Sequence, residues 1–337
     1  MNKQRIVLAG GSGFLGRMLA DWLAARGADV VILTRTPRTG GQVREVEWDA
    51  RTLGQWQREI EGAEAVINLA GRTVDCRYNE ENRRLILDSR VDSTRVLGSA
   101  IELCGRPPRV WLNSSTATIY KHTYGKANDE ATGVIGAAPE AKDKFSVEVA
   151  VAWERTLESA RTFNTRKVAL RTAMVLGSGN SVFPVLRRLV RLGLGGRMGN
   201  GRQFMSWIHE RDFCRTIEWL LAEEDFRGPV NLAAPNPVPN AEMMRTLRKV
   251  CGVPFGLPAA RWMLEVGALF LRTETELIIK SRRVVPGRLL EAGFEFEFPH
   301  LQGALEDLCA KAQGVATVPS EHTADEQPAT TSAALEK

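Results

Sequence analysis

The residues most able to do chemistry open the chain. In "LAGGSGFLG", Gly10, Gly13 and Gly16 follow a short apolar run and start an amphipathic one. At a strand-to-helix turn the first glycine permits the tight turn and the second lets the backbone approach a diphosphate. The third lets helix and strand pack closely, and the helix N-terminus favours the anion. Ser12, Phe14 and Leu15 sit within the same turn, and Arg17 follows it. A site for NAD would place an acid at the end of the second strand, about 20 residues on, to hold the ribose hydroxyls. The chain has Thr34 and Arg35 there. A guanidinium suits a phosphate that an aspartate would repel, so the expected cofactor is NADP(H), with Arg17 adding charge at the same corner.

The elements that must hold this site are legible as alternation. "RIVLA" (5–9), "DVVILT" (29–34), "VREVEW" (43–48), "AVINLA" (65–70), "RVWLN" (109–113) and "KVALR" (167–171) are short apolar or β-branched runs. Amphipathic stretches at 14–26, 80–104 and 142–163 separate several of them. Strand and helix repeated in this way predict an α/β fold with a doubly wound parallel sheet. After residue 176 the pattern changes to a Gly-rich loop, a helix over 210–224, a strand at 229–233, the Pro-rich "APNPVPN" and helical pieces to about 313. This reads as a smaller second lobe. The final stretch, 314–337, has few large apolar residues and no period, so a disordered tail is expected there.

Composition narrows the function class. The 337 residues are 44% hydrophobic, enough for a sizeable core. The N-terminal "IVLAGGSGFLG" has too many glycines for an export-signal helix and reads as a first strand and turn. The best apolar run, "WMLEVGALFLR", carries Glu265 and ends at Arg272, short of the roughly 20 residues that span a bilayer. A cytoplasmic protein is expected. Five cysteines, none closer than about 28 positions to another, argue against a disulfide framework and a zinc site. Residues 315–337 carry four acids and one lysine, so the net +5 leaves +8 on the rest. That charge suits an anionic ligand. No aromatic-interleaved basic run or nucleic-acid motif accompanies it, so a nucleic-acid partner is not expected.

Several motifs together resemble a known family. "GGSGFLG", "NLAG" (68–71), "NSSTATIY" (113–120) and "LRTAMVLG" (170–177) are similar to segments of the extended short-chain dehydrogenase/reductases, in particular nucleotide-sugar epimerases and dehydratases. "GNGRQFMSWIHERDF" (199–213), "GPVNLAAPNPV" (228–238) and "VVPGRLLEAGFEFEFP" (284–299) resemble more closely an atypical branch labelled epimerase family protein, which ends in a short C-terminal domain of unknown function. The resemblance implies a Rossmann domain over 1–176 and 210–234 and a substrate lobe over 177–209 and 235–313. By position it implies that the glycines and Arg35 hold the cofactor phosphates and that Asp49 meets the adenine amino group. Asn68, Ala70 and Gly71 would form the turn beside the ribose, Arg171 would begin the segment passing the nicotinamide, and Thr116 would bond the reacting oxygen. Arg202, Gln203, Ser206 and His209 stand where sugar epimerases hold substrate. The implied partner is a small molecule, a carbonyl compound or sugar nucleotide.

One departure matters. The family's usual enzymes carry Tyr-x-x-x-Lys at the start of the long third helix, where the Tyr exchanges the proton and the Lys lowers its pKa. Here those places hold Phe145 and Val149, and with Trp153 and Leu157 they form one apolar stripe. The stripe suits either packing on the sheet or a homodimer contact. Candidate replacements are Tyr120 and Tyr124 with Lys121 or Lys126 nearby, His122, His209 with Asp212, Glu148 and Glu154. Each also has an ordinary structural role. Two readings follow: an NADP(H)-dependent oxidoreductase or epimerase with a relocated acid, Tyr120 foremost, or a non-catalytic NADP(H)-binding sensor or scaffold.

Overall fold

A computed structural model describes residues 4–265 and 274–313. Residues 266–273, which hold most of the apolar run noted above, and 314–337, the expected tail, lie outside the described residues. The frame is a seven-stranded, all-parallel sheet built from β1 (Arg5–Ala9), β2 (Asp29–Thr34), β3 (Arg44–Glu47), β4 (Ala65–Asn68), β5 (Val110–Thr116), β6 (Arg166–Thr172) and β10 (Gly228–Leu232). Their order is β10-β6-β5-β4-β1-β2-β3. The alternation at β1 shows why the runs are continuously apolar. Ile6 and Leu8 enter one core while Val7 and Ala9 enter the other, so both faces are buried.

Helices cover the two faces. On one side lie α1 (Phe14–Ala25) and α5 (Glu210–Ala222), bringing Leu19, Leu23, Phe213 and Ile217 into the core. On the other lie α2 (Glu80–Glu102) and α3 (Lys144–Ser159), which pack on each other. Asn79 caps α2 by accepting from the Asn82 amide at 2.8 Å, and Glu80 and Glu81 follow in its first turn. The α3 stripe faces inward, with Val149, Trp153 and Leu157 buried, so it packs within the molecule and is not available as a dimer contact.

A third core gathers α4 (Val182–Arg191), α6 (Asn240–Val250) and α9 (Leu301–Lys311) around Phe183, Trp207, Leu247 and Leu305. Between them run the short strands β7 (Met174–Leu176), β8 (Phe204–Met205), β9 (Trp207–His209) and β11 (Val238–Pro239), and the short helices α7 (Glu276–Ile279) and α8 (Gly287–Glu291). This core places Cys251 and Cys309 with their sulfurs 3.9 Å apart, a proximity invisible in their sequence spacing. Both are free thiols. Among the described residues, no helix is long and apolar enough to cross a membrane. They also hold no cluster of three or more His, Cys, Asp or Glu side chains able to take a metal.

The β1–α1 turn is the tightest part of the frame. Gly10 has φ +72°, and a Cβ there would lie 2.6 Å from the Ala70 backbone. A Cβ on Gly16 would lie 2.4 Å from the Gly11 Cα. Gly16→Ala is therefore expected to force α1 away from β1 and to lower the thermal midpoint by several degrees. A melt equal to the parent's would show that the helix can shift freely.

Candidate functional site

The C-terminal ends of β1, β2, β4 and β5 open onto one cleft of two chambers joined at Leu69, Ala70 and Gly71. The outer chamber, about 880 Å³, is lined by Gly10, Ser12, Gly13, Arg35, Asp49, Ala70 and Gly71, among others. The inner chamber is about 250 Å³ and includes Leu15, Thr116, Tyr78, Arg90, Phe145, Val149, Trp153 and Glu276 in its wall. A small ligand fits the inner chamber, and a dinucleotide fits the two together.

The outer chamber suits an anion. Gly13 caps α1 without any side-chain hydrogen bond, and a Cβ built on it meets nothing within 4 Å. The first amides of α1 therefore face open space, the arrangement that receives phosphate. Arg35 is exposed and has no ion-pair partner among the described residues. Arg17 differs. Its Nη1 pairs with the buried carboxylate of Glu45 at 2.5 Å, and it does not line the cleft. Asp49 is committed to its own turn: Oδ1 accepts from the Arg51 and Thr52 amides and Oδ2 from the Thr52 hydroxyl. The Thr52 hydroxyl and these amides lower its pKa to about 2, so it stays ionised at the chamber wall.

Beneath the neck, Asn68 is fully buried. Its Oδ1 accepts from the Ala70 amide at 3.0 Å and its Nδ2 donates to Asn113 Oδ1 at 2.7 Å. It shapes the Ala70–Gly71 turn without reaching the cleft. Gly16 and Phe14 likewise support from behind, Phe14 standing against Gly177 and Gly179. Thr116 lines the inner chamber, and its Oγ1 accepts from the Thr118 amide at 3.1 Å.

Tyr120 and Arg171 take a different place from the one the sequence suggested. The Arg171 fork donates to Glu154 at 2.8 and 2.7 Å, and its Nη1 donates to the Tyr120 oxygen at 2.8 Å. Tyr120 in turn donates to Asn231 Oδ1 at 3.0 Å, and Ser115 donates to Glu154 at 2.6 Å. Tyr120 is 2% exposed and Arg171 5%, and neither lines the cleft. Burial raises the Tyr120 pKa, so its proton serves the network. Tyr124 and His122 stack edge-to-face on the far side, and His122 Nδ1 accepts from the Ser281 amide.

The four expected substrate residues are also elsewhere. Gln203 donates to the Met198 carbonyl, and Ser206 donates to the Arg282 carbonyl and accepts from the Val284 amide. His209 is fully buried as the cap of α5: Nδ1 accepts from the Arg211 amide, and Nε2 lies 3.1 Å from Asp307. Arg202 is exposed, with its Cζ 5.7 Å from the Tyr124 ring centroid. None of the four lines the cleft. The Gly-rich loop resembles a substrate segment in sequence, but its polar side chains fasten the second lobe.

The inner chamber instead contains groups that no motif or spacing singles out. Phe145 stacks edge-to-face on Tyr78 at 5.1 Å. Burial, and then the nearby Glu276 carboxylate, raise the Tyr78 pKa to about 12. Beside it Ser146 donates to Glu276 Oε2 at 2.7 Å. Glu276 is 4% exposed, burial raises its pKa, and its Oε1 accepts no hydrogen bond among the described residues. Arg282 Nη2 stands 3.9 Å away. No spacing in the sequence links position 276 to 146, so only the fold could reveal the pair.

Residues 6–233 match the model of the NAD dependent epimerase/dehydratase family. The chain belongs to this family. Residues 259–308 match a domain of unknown function, DUF1731. Among curated proteins, the bovine epimerase family protein SDR39U1 is 31% identical over 91% of this chain and 100% of its own length. The epimerase family protein YfhF of Bacillus subtilis is 30% identical over 92% of this chain and 99% of its own. The crystal structure of human SDR39U1 with NADPH has a TM-score of 0.80 and 28% identity, covering 93% of this chain and 100% of that one.

The buried network gives a test. Glu154→Ala leaves the Arg171 guanidinium buried without its carboxylate and is expected to cost about 3–5 kcal/mol in urea unfolding. Tyr120→Phe is expected to cost only about 1–2 kcal/mol and to leave ligand affinity unchanged. A larger effect of Tyr120→Phe on ligand affinity than on stability would place its hydroxyl in the cleft's function.

Proposed function

We propose that this protein binds NADP(H) along the two chambers and uses it to oxidise, reduce or epimerise a small carbonyl or hydroxyl compound held in the inner one. Two features support the cofactor: the uncapped α1 N-terminus over open space, and an Arg35 without an ion-pair partner among the described residues where an NAD site needs an acid. The relative solved with NADPH agrees with this reading. Gly10, Ser12 and Gly13 would receive the diphosphate, Arg35 the 2′-phosphate, Ala70 and Gly71 the ribose edge, and Asp49 the adenine side. When bound, NADP(H) supplies or accepts the hydride.

The chain must then handle the proton, and the observation that carries the enzymatic reading is the Ser146–Glu276 pair. Glu276 is a buried carboxyl in the wall of the inner chamber; one oxygen accepts from the Ser146 hydroxyl next to Phe145, and the other, 3.9 Å from Arg282 Nη2, accepts no hydrogen bond among the described residues. A carboxyl whose pKa burial raises holds its proton to higher pH than a solvated one, which suits it to act as an acid. In reduction, Glu276 would pass its proton through the Ser146 hydroxyl to the substrate oxygen, which Thr116 orients, and regain it from solvent. The apolar wall of Phe145, Val149 and Trp153 favours a second reading, in which the cofactor is held without being used.

Two measurements separate them. Arg35→Glu is expected to weaken NADPH binding about tenfold or more while changing NADH binding little; tighter NADH binding by the parent would reject the cofactor assignment. NADPH oxidation should be followed against carbonyls, enones and sugar nucleotides. Glu276→Gln is expected to slow turnover about 100-fold with NADPH affinity retained. Reduction by the parent should fall as pH rises through the raised Glu276 pKa, because only the protonated acid can donate. Tight NADPH binding without turnover of any compound would favour the sensor.

A further inference from the structure

The third core holds two thiols in contact that the cleft does not use. Cys251 caps the end of α6 and Cys309 lies in the last turn of α9; the two helices pack on each other, and the sulfurs are 3.9 Å apart. The residues are 58 positions apart in the chain, so only the fold brings them together. The other thiols are placed differently. Cys76 and Cys104 donate to the carbonyls of Thr73 and Ala100, and Cys214 is buried in the core beside the main sheet. Two thiols in contact can serve as packing alone. This pair is graded in exposure, which packing does not require: Cys251 is partly open to solvent and Cys309 is buried. Burial, and then Cys251 beside it, push the Cys309 thiol up to about 12, while Arg187 and Arg191 of α4 act in the opposite direction.

The place of the pair in the chain gives it a consequence. Cys251 stands before, and Cys309 directly after, the residues 259–308 that match DUF1731. Between them lie Glu276, which reaches the inner chamber, and Lys280, which is buried against Asp143. We propose that Cys251 and Cys309 are a redox modification site, forming a reversible disulfide that closes residues 252–308 into one covalent loop and restrains the segment that carries Glu276. The oxidant is a low-molecular-weight disulfide of the glutathione class. The accessible Cys251, as its thiolate, attacks one sulfur of that disulfide, which releases one thiolate and leaves a mixed disulfide on Cys251. Cys309 then gives its proton to solvent and attacks Cys251 Sγ, expelling the second thiolate. Capping removes the charge of the Cys251 thiolate from beside Cys309 and leaves the two arginines, which favours this second step. Each released thiolate takes up a proton. The protein thus loses two hydrogens and two electrons as its S–S bond forms, and the small disulfide is reduced to two thiols. The sulfurs close from 3.9 Å to about 2.05 Å, a movement that rotation about the Cα–Cβ bonds supplies.

The full chain, reduced and then freed of reductant, is incubated in glutathione buffers from fully reduced to fully oxidised. Its free thiols are then alkylated, and it is read by intact mass and by peptide mapping without reduction. Oxidised buffer is expected to remove two alkylation sites and to yield one cross-linked peptide pair joining Cys251 to Cys309 with no glutathione retained, all reversed by dithiothreitol. Closing a loop of this length is also expected to raise the thermal midpoint of the oxidised chain by several degrees over the reduced one. In Cys251→Ala the cross-link and the rise are lost; in Cys309→Ala glutathione stays on Cys251 and the rise is lost. Each variant is compared with itself in the two buffers, so any packing lost on substitution cancels. Retention of both alkylation sites in oxidised buffer overturns the proposal, as does arrest of the parent with glutathione on Cys251 or a cross-link to Cys76 or Cys104. A disulfide that leaves the midpoint unchanged overturns the restraint of the segment. None of these measurements involves NADP(H), so either result leaves the cofactor reading where it stands.

Discussion

The pairing of Arg171 with Glu154 is the constraint on which the site depends. It joins β6 to α3, and through Ser115, Tyr120 and Asn231 it draws in β5, the turn after it and β10. Two charges taken this far from water hold together only when the fork and the remaining lone pairs are satisfied, as they are here. That requirement fixes the rotation of α3 about its axis. With Glu154 aimed at the sheet, Phe145, Val149 and Trp153 are turned toward the inner chamber, so the wall where a tyrosine and lysine would stand is apolar. The same network consumes the one tyrosine near the end of β5 that the sequence offered as a substitute.

A second buried pair explains how a distant segment reaches that wall. Lys280 lies against Asp143 at 2.6 Å with both side chains fully buried, and its Nζ also donates to the Thr118 carbonyl. Ser281 and Arg282 continue the attachment through Phe204, Thr123 and Thr118. These contacts bolt the chain just after α7 to the floor of the chamber, which leaves Glu276 facing Ser146. The polar loop residues Gln203 and Ser206 belong to this clamp. They are conspicuous in the sequence because the second lobe must be held in place, and the segment they help to hold carries Glu276 into the chamber wall.

The frame was legible because parallel strands buried on both faces have an unmistakable composition. The runs at 5–9 and 29–34 match β1 and β2 residue for residue, and the Gly-rich turn sits where its spacing put it. β5 extends three residues past the expected end because "SST", poor in apolar content, pairs fully with β6 through Thr116 and Thr172. The outer chamber was legible for a related reason: Gly10, Gly13, Arg35 and Gly71 lie close to the strand ends that position them. The inner chamber was not. Arg90 sits in "DSRVDSTR", which reads as a solvated helix face, and Glu276 lies 130 positions from Ser146. Arg17 was drawn to the phosphate by its nearness to the glycines, whereas the structure gives it to Glu45.

The apolar wall and the two displaced ionisable groups are parts of one arrangement. Phe145, Val149 and Trp153 give the chamber an apolar wall, and burial acts in opposite directions on its ionisable groups: it raises the Glu276 pKa and lowers that of Arg90. Each shift makes its group better suited to a ligand than it would be in water. A carboxyl whose pKa is raised keeps its proton to higher pH, and a desolvated cation gains more from an anion than a solvated one does. A lysine at 149 and a tyrosine at 145 would place a cation and a phenol on that same wall and admit water around them, weakening both effects. The aromatic and branched side chains at 145 and 149 thus share one wall with an arginine from α2 and a carboxyl from α7, and the shifts of those two groups depend on the burial that this wall provides.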